Sequence, residues 1–280
     1  MADAKAIQKL RELEVKIALE IQRVCEKNGL RCFLVYGTLL GAVRHGGFIP
    51  WDDDMDMGML RADYDKFAEA CKTDLGPEFL WQSWDNDPSY PFPAGKVRLK
   101  GTHTKEKFSI SGVEDGIYVD VFPYDAVPDG TWARKVTGWQ YRVWKRLLWL
   151  KKGYGKCMRE ESARQRLRYD LAASIAALFP YGWLKRRMQA AMTKCNGQRT
   201  REVAAPGDWA YSRQFIDREW TENLVSVPFE GVKFPAFREA DANLRRIYGD
   251  YMQLPPEDQR VGHEFGSIDF GPYGDEPERG

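Results

Sequence analysis

The run Asp54-Met55-Asp56-Met57 constrains this chain more than any other stretch. Side chains on a β-strand alternate faces with period two, so this pattern sends both carboxylates to one face and both methionines to the other. The methionine face belongs in a core. The acidic face carries like charges that repel unless a cation sits between them. Asp52 and Asp53 stand just upstream, so four carboxylates fall within five residues. An exposed acidic turn started by Pro50 is the alternative, but it leaves the methionines on the opposite face unexplained. The pattern predicts a strand over 54–59 whose acids, Asp54 and Asp56, hold Mg²⁺ (or Mn²⁺) for phosphate chemistry.

What precedes this strand fits the same chemistry. Residues 31–36 are a short apolar run suited to a buried strand. Gly37-Thr38 then turns the chain, and Leu39 to Arg44 starts a helix. A strand that feeds a glycine turn and a helix N-terminus offers backbone N–H groups to an anion. Gly37, Thr38, Arg44 and His45 are therefore candidate substrate-binding residues. Before this unit, residues 4–28 read as an amphipathic helix, with Ile7, Leu10, Ile17, Ile21 and Val24 at helical spacing and Asn28-Gly29 as its stop.

Downstream, Lys96-Val97-Arg98-Leu99-Lys100 alternates cations with apolar residues. As a strand it aims three cations from one face, which suits a phosphate donor or an acidic neighbour; a polar edge strand is the competing reading. Lys96 and Arg98 join the candidate phosphate contacts. Ile117 to Pro123 reads as a strand that places one acid, Asp120, among hydrophobic neighbours. A buried carboxylate needs a cation partner. Asp120 either completes a three-carboxylate cluster with Asp54 and Asp56, as a catalytic and metal-binding acid, or forms a salt bridge.

After Pro128-Asp129-Gly130 the character changes. Between Arg134 and Arg201 there are 18 Lys/Arg and three acids, a net +15, while the whole chain carries +1. The rest therefore sums to −14. Trp132, Trp139, Trp144, Trp149 and Tyr154 are interleaved with cations over 131–156. The segment reads either as an interfacial one contacting anionic lipid, or as helices whose Trp residues pack on the body. Aromatic stacking on single-stranded nucleic acid is a third reading; the near-zero net charge of the whole chain says nothing about nucleic acid, and no nucleic-acid partner is expected. Residues 209–234 read as short strands and turns, and 237–248 as a helix.

The five cysteines are odd in number and lack a C-x-x-C pair. They point to a reducing, cytoplasmic setting, with the basic segment at the inner face of a membrane. The start carries no signal peptide, and the longest apolar run is too short to span a bilayer. The expected layout is a core over 1–130, a helical basic-aromatic segment over 131–205, a C-terminal part of the core over 206–265, and a loosely held tail over 266–280.

Tyr36 to His45, followed by Ile49 to Asp56, closely resembles the signature of the LicD family, bacterial phosphocholine transferases with the fukutin-related proteins as distant members. Val119 to Pro123 resembles the family's next block, and Val227 to Gly231, Tyr248 to Met252 and Pro255-Pro256 its C-terminal blocks. The resemblance covers roughly residues 15–265. It implies an α+β, nucleotidyltransferase-like mixed sheet flanked by helices, with the basic-aromatic segment as an insertion. It also implies a CDP-linked donor such as CDP-choline, and an acceptor hydroxyl on a glycan, lipopolysaccharide among them, or on its lipid-linked precursor. Mg²⁺ on Asp54 and Asp56 would then bridge the donor's diphosphate. Asp120 would share the metal, take the acceptor's proton, or both, with Asp52 and Asp53 in support. The competitors are transfer of a nucleoside monophosphate, and a non-catalytic peripheral membrane or glycan-binding protein. His263 is a further, weaker candidate near the site.

Overall fold

The computed structural model describes residues 4–106, 115–152, 163–205, 211–260, 262 and 265–274. In chain order the elements are α1 (Ala4–Lys27), β1 (Phe33–Leu34), α2 (Tyr36–His45), β2 (Asp56–Leu60), α3 (Arg61–Asp74), β3 (Phe79–Gln82), β4 (Gly95–Leu99), β5 (His103–Glu106) and β6 (Tyr118–Ala126). Then come α4 (Thr131–Lys151), α5 (Ala163–Ala177), α6 (Tyr181–Thr193), β7 (Glu202–Ala204), β8 (Phe215–Asp217), α7 (Arg218–Glu222), β9 (Leu224–Phe229), β10 (Val232–Phe237), α8 (Ala240–Tyr248) and β11 (Phe265–Asp269).

The main sheet runs β1-β2-β6-β4-β3, with β7 pairing β6, and β8 pairing β7. β2 and β6 are parallel, and the other pairings are antiparallel. This is a mixed α+β sheet flanked by helices, as expected. The alternation in β2 sets its register. Met55, Met57 and Met59 are fully buried, while Asp54 and Asp56 are half-buried on the other side. Slipping by one residue would turn three methionines outward at about 1.5–3 kcal/mol each, and would push two carboxylates into the core.

α1 lies over this sheet and buries Leu10, Leu13, Ile17, Ile21 and Val24. It ends at Gly29, whose φ of 63° is the left-handed stop that Asn28-Gly29 signalled. α2 begins earlier than the sequence suggests, at Tyr36, because β1 is only two residues long. β9 and β10 form a hairpin with Phe229 opposite Val232. Its two-residue loop, Glu230-Gly231, has φ of 48° and 78°, as a primed turn requires. α4 and α6 build a smaller core of Tyr141, Leu148, Leu184 and Met188, with Trp144 and Trp183 edge to face at 5.6 Å.

Three expectations change. Phe237 ends β10, and the helix after it starts at Ala240. β4 lies between β6 and β3, so it is an interior strand and not a polar edge. Residues 265–269, placed largely in a loose tail, form β11 paired to β5, and Ile268, Phe270 and Tyr273 pack against the core. Among the described residues the cysteines Cys25, Cys32, Cys71 and Cys195 are free and buried. Among those residues no helix is long and apolar enough to cross a membrane.

Candidate active site

Three strands place one charged rung. In the parallel pair β2–β6, Asp56 stands opposite Asp120; in the antiparallel pair β6–β4, Asp120 stands opposite Lys96. The Lys96 Nζ reaches Asp120 Oδ2 at 3.1 Å and lies 3.1 Å from the centroid of the Tyr118 ring. Of the two readings of Asp120, the structure shows the salt bridge, and it sets that ion pair beside the Asp-Met strand. The strand backbone is stitched at this level, with the Asp120 N–H donating to the Met55 carbonyl at 3.0 Å.

α2 holds the acids from the other side. The Asp56 N–H donates to Thr38 Oγ1 at 2.8 Å. A Cβ on Gly37 would lie 2.6 Å from Asp52 Oδ2, so glycine is what lets this carboxylate reach the first turn of the helix. Negative charge is favoured there by the helix dipole. Tyr36, just before it, has φ of 47°, a strained geometry for a bulky residue and one that concentrates at functional sites. Its buried ring meets Phe122 edge to face at 5.2 Å, and its hydroxyl lies 3.4 Å from Gln214 Oε1.

The loop between α2 and β2 is clamped twice. Arg11 on α1 donates to the carbonyls of Ile49, Pro50 and Asp52. Glu230, at the hairpin tip, accepts from the Phe48 N–H at 3.0 Å, and its own N–H donates to Gly46 O at 3.0 Å. The Glu230 carboxylate occupies the space a side chain on Gly47 would need. The Gly46-Gly47 pair thus accommodates a carboxylate brought in from a distant hairpin.

The electrostatics follow from this crowding. Burial pushes the Asp56 carboxyl well above the usual carboxylate range, and Asp54, Asp120 and Asp52 push it further, with Lys96 opposing. Glu14 was not among the residues picked from the sequence. It is 4% exposed on the inner face of α1, its Oε2 has no hydrogen-bond partner, and its carboxyl is pushed up by burial and then by Asp54 and Asp53. A signal for it did exist: Glu14 is four residues after Leu10 and three before Ile17, on the apolar stripe. Tyr248 on α8 lies in the same field. Its phenol is pushed up by burial and then by Asp56, Asp52 and Asp54, so it stays a neutral donor.

The predicted phosphate contacts divide. Lys96 is on the rung. Arg98 faces the same way and is buried like Lys96, but it donates to Gln82 Oε1 and the Gly116 carbonyl at 2.6 Å each, so it serves the sheet interior. Lys100 lies outside β4, with Nζ 2.7 Å from the Pro77 carbonyl, so the three-cation face reduces to two. Thr38 holds Asp56 through its hydroxyl. Arg44 donates to the Tyr251 carbonyl at 2.6 Å and to His45 Nε2 at 2.9 Å, which makes the His45 nitrogen an acceptor. Partial burial and then Arg44 push the His45 pKa down. His263 lies outside the described residues.

Hard carboxylate oxygens crowded around an under-compensated charge suit a divalent cation. Among the described residues no three Asp, Glu, His or Cys side chains form a ready cage for one.

A family profile described as LicD/FKTN/FKRP, nucleotidyltransferase domain, matches residues 29–148, the stretch that runs from β1 through the charged rung into α4. Over that stretch the chain matches the LicD family. It is 24% identical over 250 residues to lipopolysaccharide cholinephosphotransferase LicD of Haemophilus influenzae, a match spanning 86% of this chain and 89% of that one. Over 64 residues it is 52% identical to the ribitol 5-phosphate transferase FKRP of mouse and of human, covering 21% of this chain and 13% of each relative. That shorter and much closer match is a local likeness.

Proposed function

We propose that this chain moves a phosphoalcohol group, with phosphocholine as the first candidate, from a CDP-linked donor to a sugar hydroxyl of a cell-surface glycan or its lipid-linked precursor. The chain is a LicD-type phosphotransferase. The relatives named above transfer choline phosphate and ribitol 5-phosphate, which makes the phosphoalcohol the conserved theme and the alcohol the variable. The observation that carries the reading is the Asp56–Asp120–Lys96 rung beside the Asp52–Asp54 loop.

Phosphoryl transfer needs positioning and charge neutralisation more than covalent chemistry. Asp54 and Asp56 would hold a divalent cation with Asp120 beside them; when bound, it neutralises the donor's diphosphate and withdraws charge from the leaving CMP. Asp120 would accept the proton of an incoming sugar hydroxyl, with Lys96 at 3.1 Å holding that carboxylate. Tyr248, kept neutral, can donate to a phosphate oxygen. Thr38 and Gly37 position the acids. This gives the first turn of α2 a supporting part and leaves the phosphate contacts to Lys96 and Tyr248.

A panel of CDP-choline, CDP-ethanolamine, CDP-glycerol and CDP-ribitol, with Mg²⁺ and a glycan mixture, tests the proposal by mass spectrometry. A phosphoalcohol mass added to the glycan together with free CMP is the expected result. A cytidylate mass on the acceptor would replace this reading with nucleotidyl transfer. Absence of turnover with every donor would favour a binding protein.

A further inference from the structure

The structure divides the tryptophans of the basic segment into two groups. Trp144 packs against Trp183 and the small helical core. Trp132 and Trp139 do not: they are 77% and 62% exposed. The other exposed positions on α4 beyond its first residue are Lys135, Arg142 and Arg146. At 3.6 residues per turn, positions 132, 135, 139, 142 and 146 fall within an arc of about 80°. α4 therefore presents one stripe of two indoles and three cations, and the helix contains no acid. The opposite side buries Thr137, Gly138, Tyr141 and Leu148.

A second surface lies on the neighbouring helix. Leu171, Ile175 and Leu178 on α5 and the turn after it are 59%, 56% and 79% exposed, at the i, i+4, i+7 spacing of one helix face. The Lys151 Nζ joins the two helices by donating to the Ala177 carbonyl at 3.1 Å. Large aromatic and aliphatic side chains held in water mark a surface meant to be covered.

We propose that α4 and α5 seat the enzyme on an anionic lipid bilayer, with Trp132 and Trp139 at headgroup depth, Lys135, Arg142 and Arg146 on lipid phosphates, and Leu171, Ile175 and Leu178 among the acyl chains. Charge selects this occupant. Residues 134–201 carry +15 and the remainder −14, so an anionic surface both attracts and orients the molecule. Two copies meeting through the same basic face would repel. Indoles and cations alone would also suit single-stranded nucleic acid, but the aliphatic stripe on α5 offers bases nothing to stack on. The inference stands on this surface and is independent of which group the enzyme transfers.

The test is co-sedimentation of the full chain with sucrose-loaded vesicles of phosphatidylcholine alone, or with added phosphatidylglycerol, and needs no turnover. Binding to the anionic vesicles is expected at low salt and should fall as salt rises. Lys135→Gln/Arg142→Gln/Arg146→Gln should weaken partitioning about a hundredfold, at about fivefold per cation. Quenching by brominated lipids should fall in Trp132→Ser/Trp139→Ser, with circular dichroism confirming that both variants fold. No binding to anionic vesicles at low salt, binding unchanged in the triple variant, or binding to an oligothymidine in place of vesicles would each overturn the proposal.

Discussion

Replacing Asp56 with Asn should raise the stability of the cation-free protein while abolishing transfer. Asp56 shares its surroundings with Asp52, Asp54 and Asp120, and Lys96 is the ammonium that opposes them. Asn keeps the shape of the side chain and the Asp56 N–H bond to Thr38, and removes one of the repelling charges. Relieving a strained charge at a functional site gains about 0.5–2 kcal/mol, which is about 1–8 °C in melting temperature for a chain of this size. The pH dependence has a definite sign. A carboxyl whose folded pKa is raised binds its proton more tightly in the native state, so stability falls as pH rises above the unfolded value, near 4, toward the folded value. The gain from Asp56→Asn should therefore vanish below about pH 4 and be full above the raised folded pKa. Mg²⁺ should then raise the wild-type melting temperature by mass action and leave the variant nearly unmoved. Thermal melts in a chelator and in Mg²⁺, from acid to mildly alkaline pH, measure all of this. A variant less stable than wild type at pH 8 in chelator would refute the charge-crowding argument, and wild-type turnover in the variant would refute the assignment.

Three further results are expected. Asp125→Ala should cost about 3–5 kcal/mol in chemical denaturation, because the half-buried Arg61 makes a bidentate pair with the buried Asp125 at 2.8 and 2.9 Å; adding Arg61→Met should recover much of the loss. Gly37→Ala should evict the Asp52 carboxylate and lower kcat severalfold or more, with a much smaller change in melting temperature, as steady-state kinetics beside a thermal melt would show. Glu230→Ala should cost about 1–3 kcal/mol by leaving the Phe48 N–H without its acceptor, and urea denaturation measures it.

The legible part of this protein was local. The parity of Asp54 and Asp56 follows from the two-residue period of a strand, and the structure keeps it, although the regular strand starts only at Asp56. The Gly29 stop of α1 and the approximate span of β6 were readable from local pattern as well. What local pattern does not show is what another element supplies. Arg98 and Lys96 have the same local pattern, yet a carboxylate stands opposite one, while Gln82 and a backbone carbonyl surround the other. Residues 265–269 look like a polar tail until β5 offers its edge.

By itself the sequence determined that paired acids would face away from a methionine-lined core behind a glycine–helix turn, because backbone stereochemistry alone enforces that alternation. Tertiary structure decided the rest. Register across β2, β6 and β4 brought Asp120 and Lys96, remote in sequence from Asp56, onto its rung. Packing of α1 delivered Glu14 to the same charge cluster, and packing of α4 buried one side and left Trp132 and Trp139 in water. Strand pairing and helix burial are contacts between distant segments, and no local period encodes which partner will arrive.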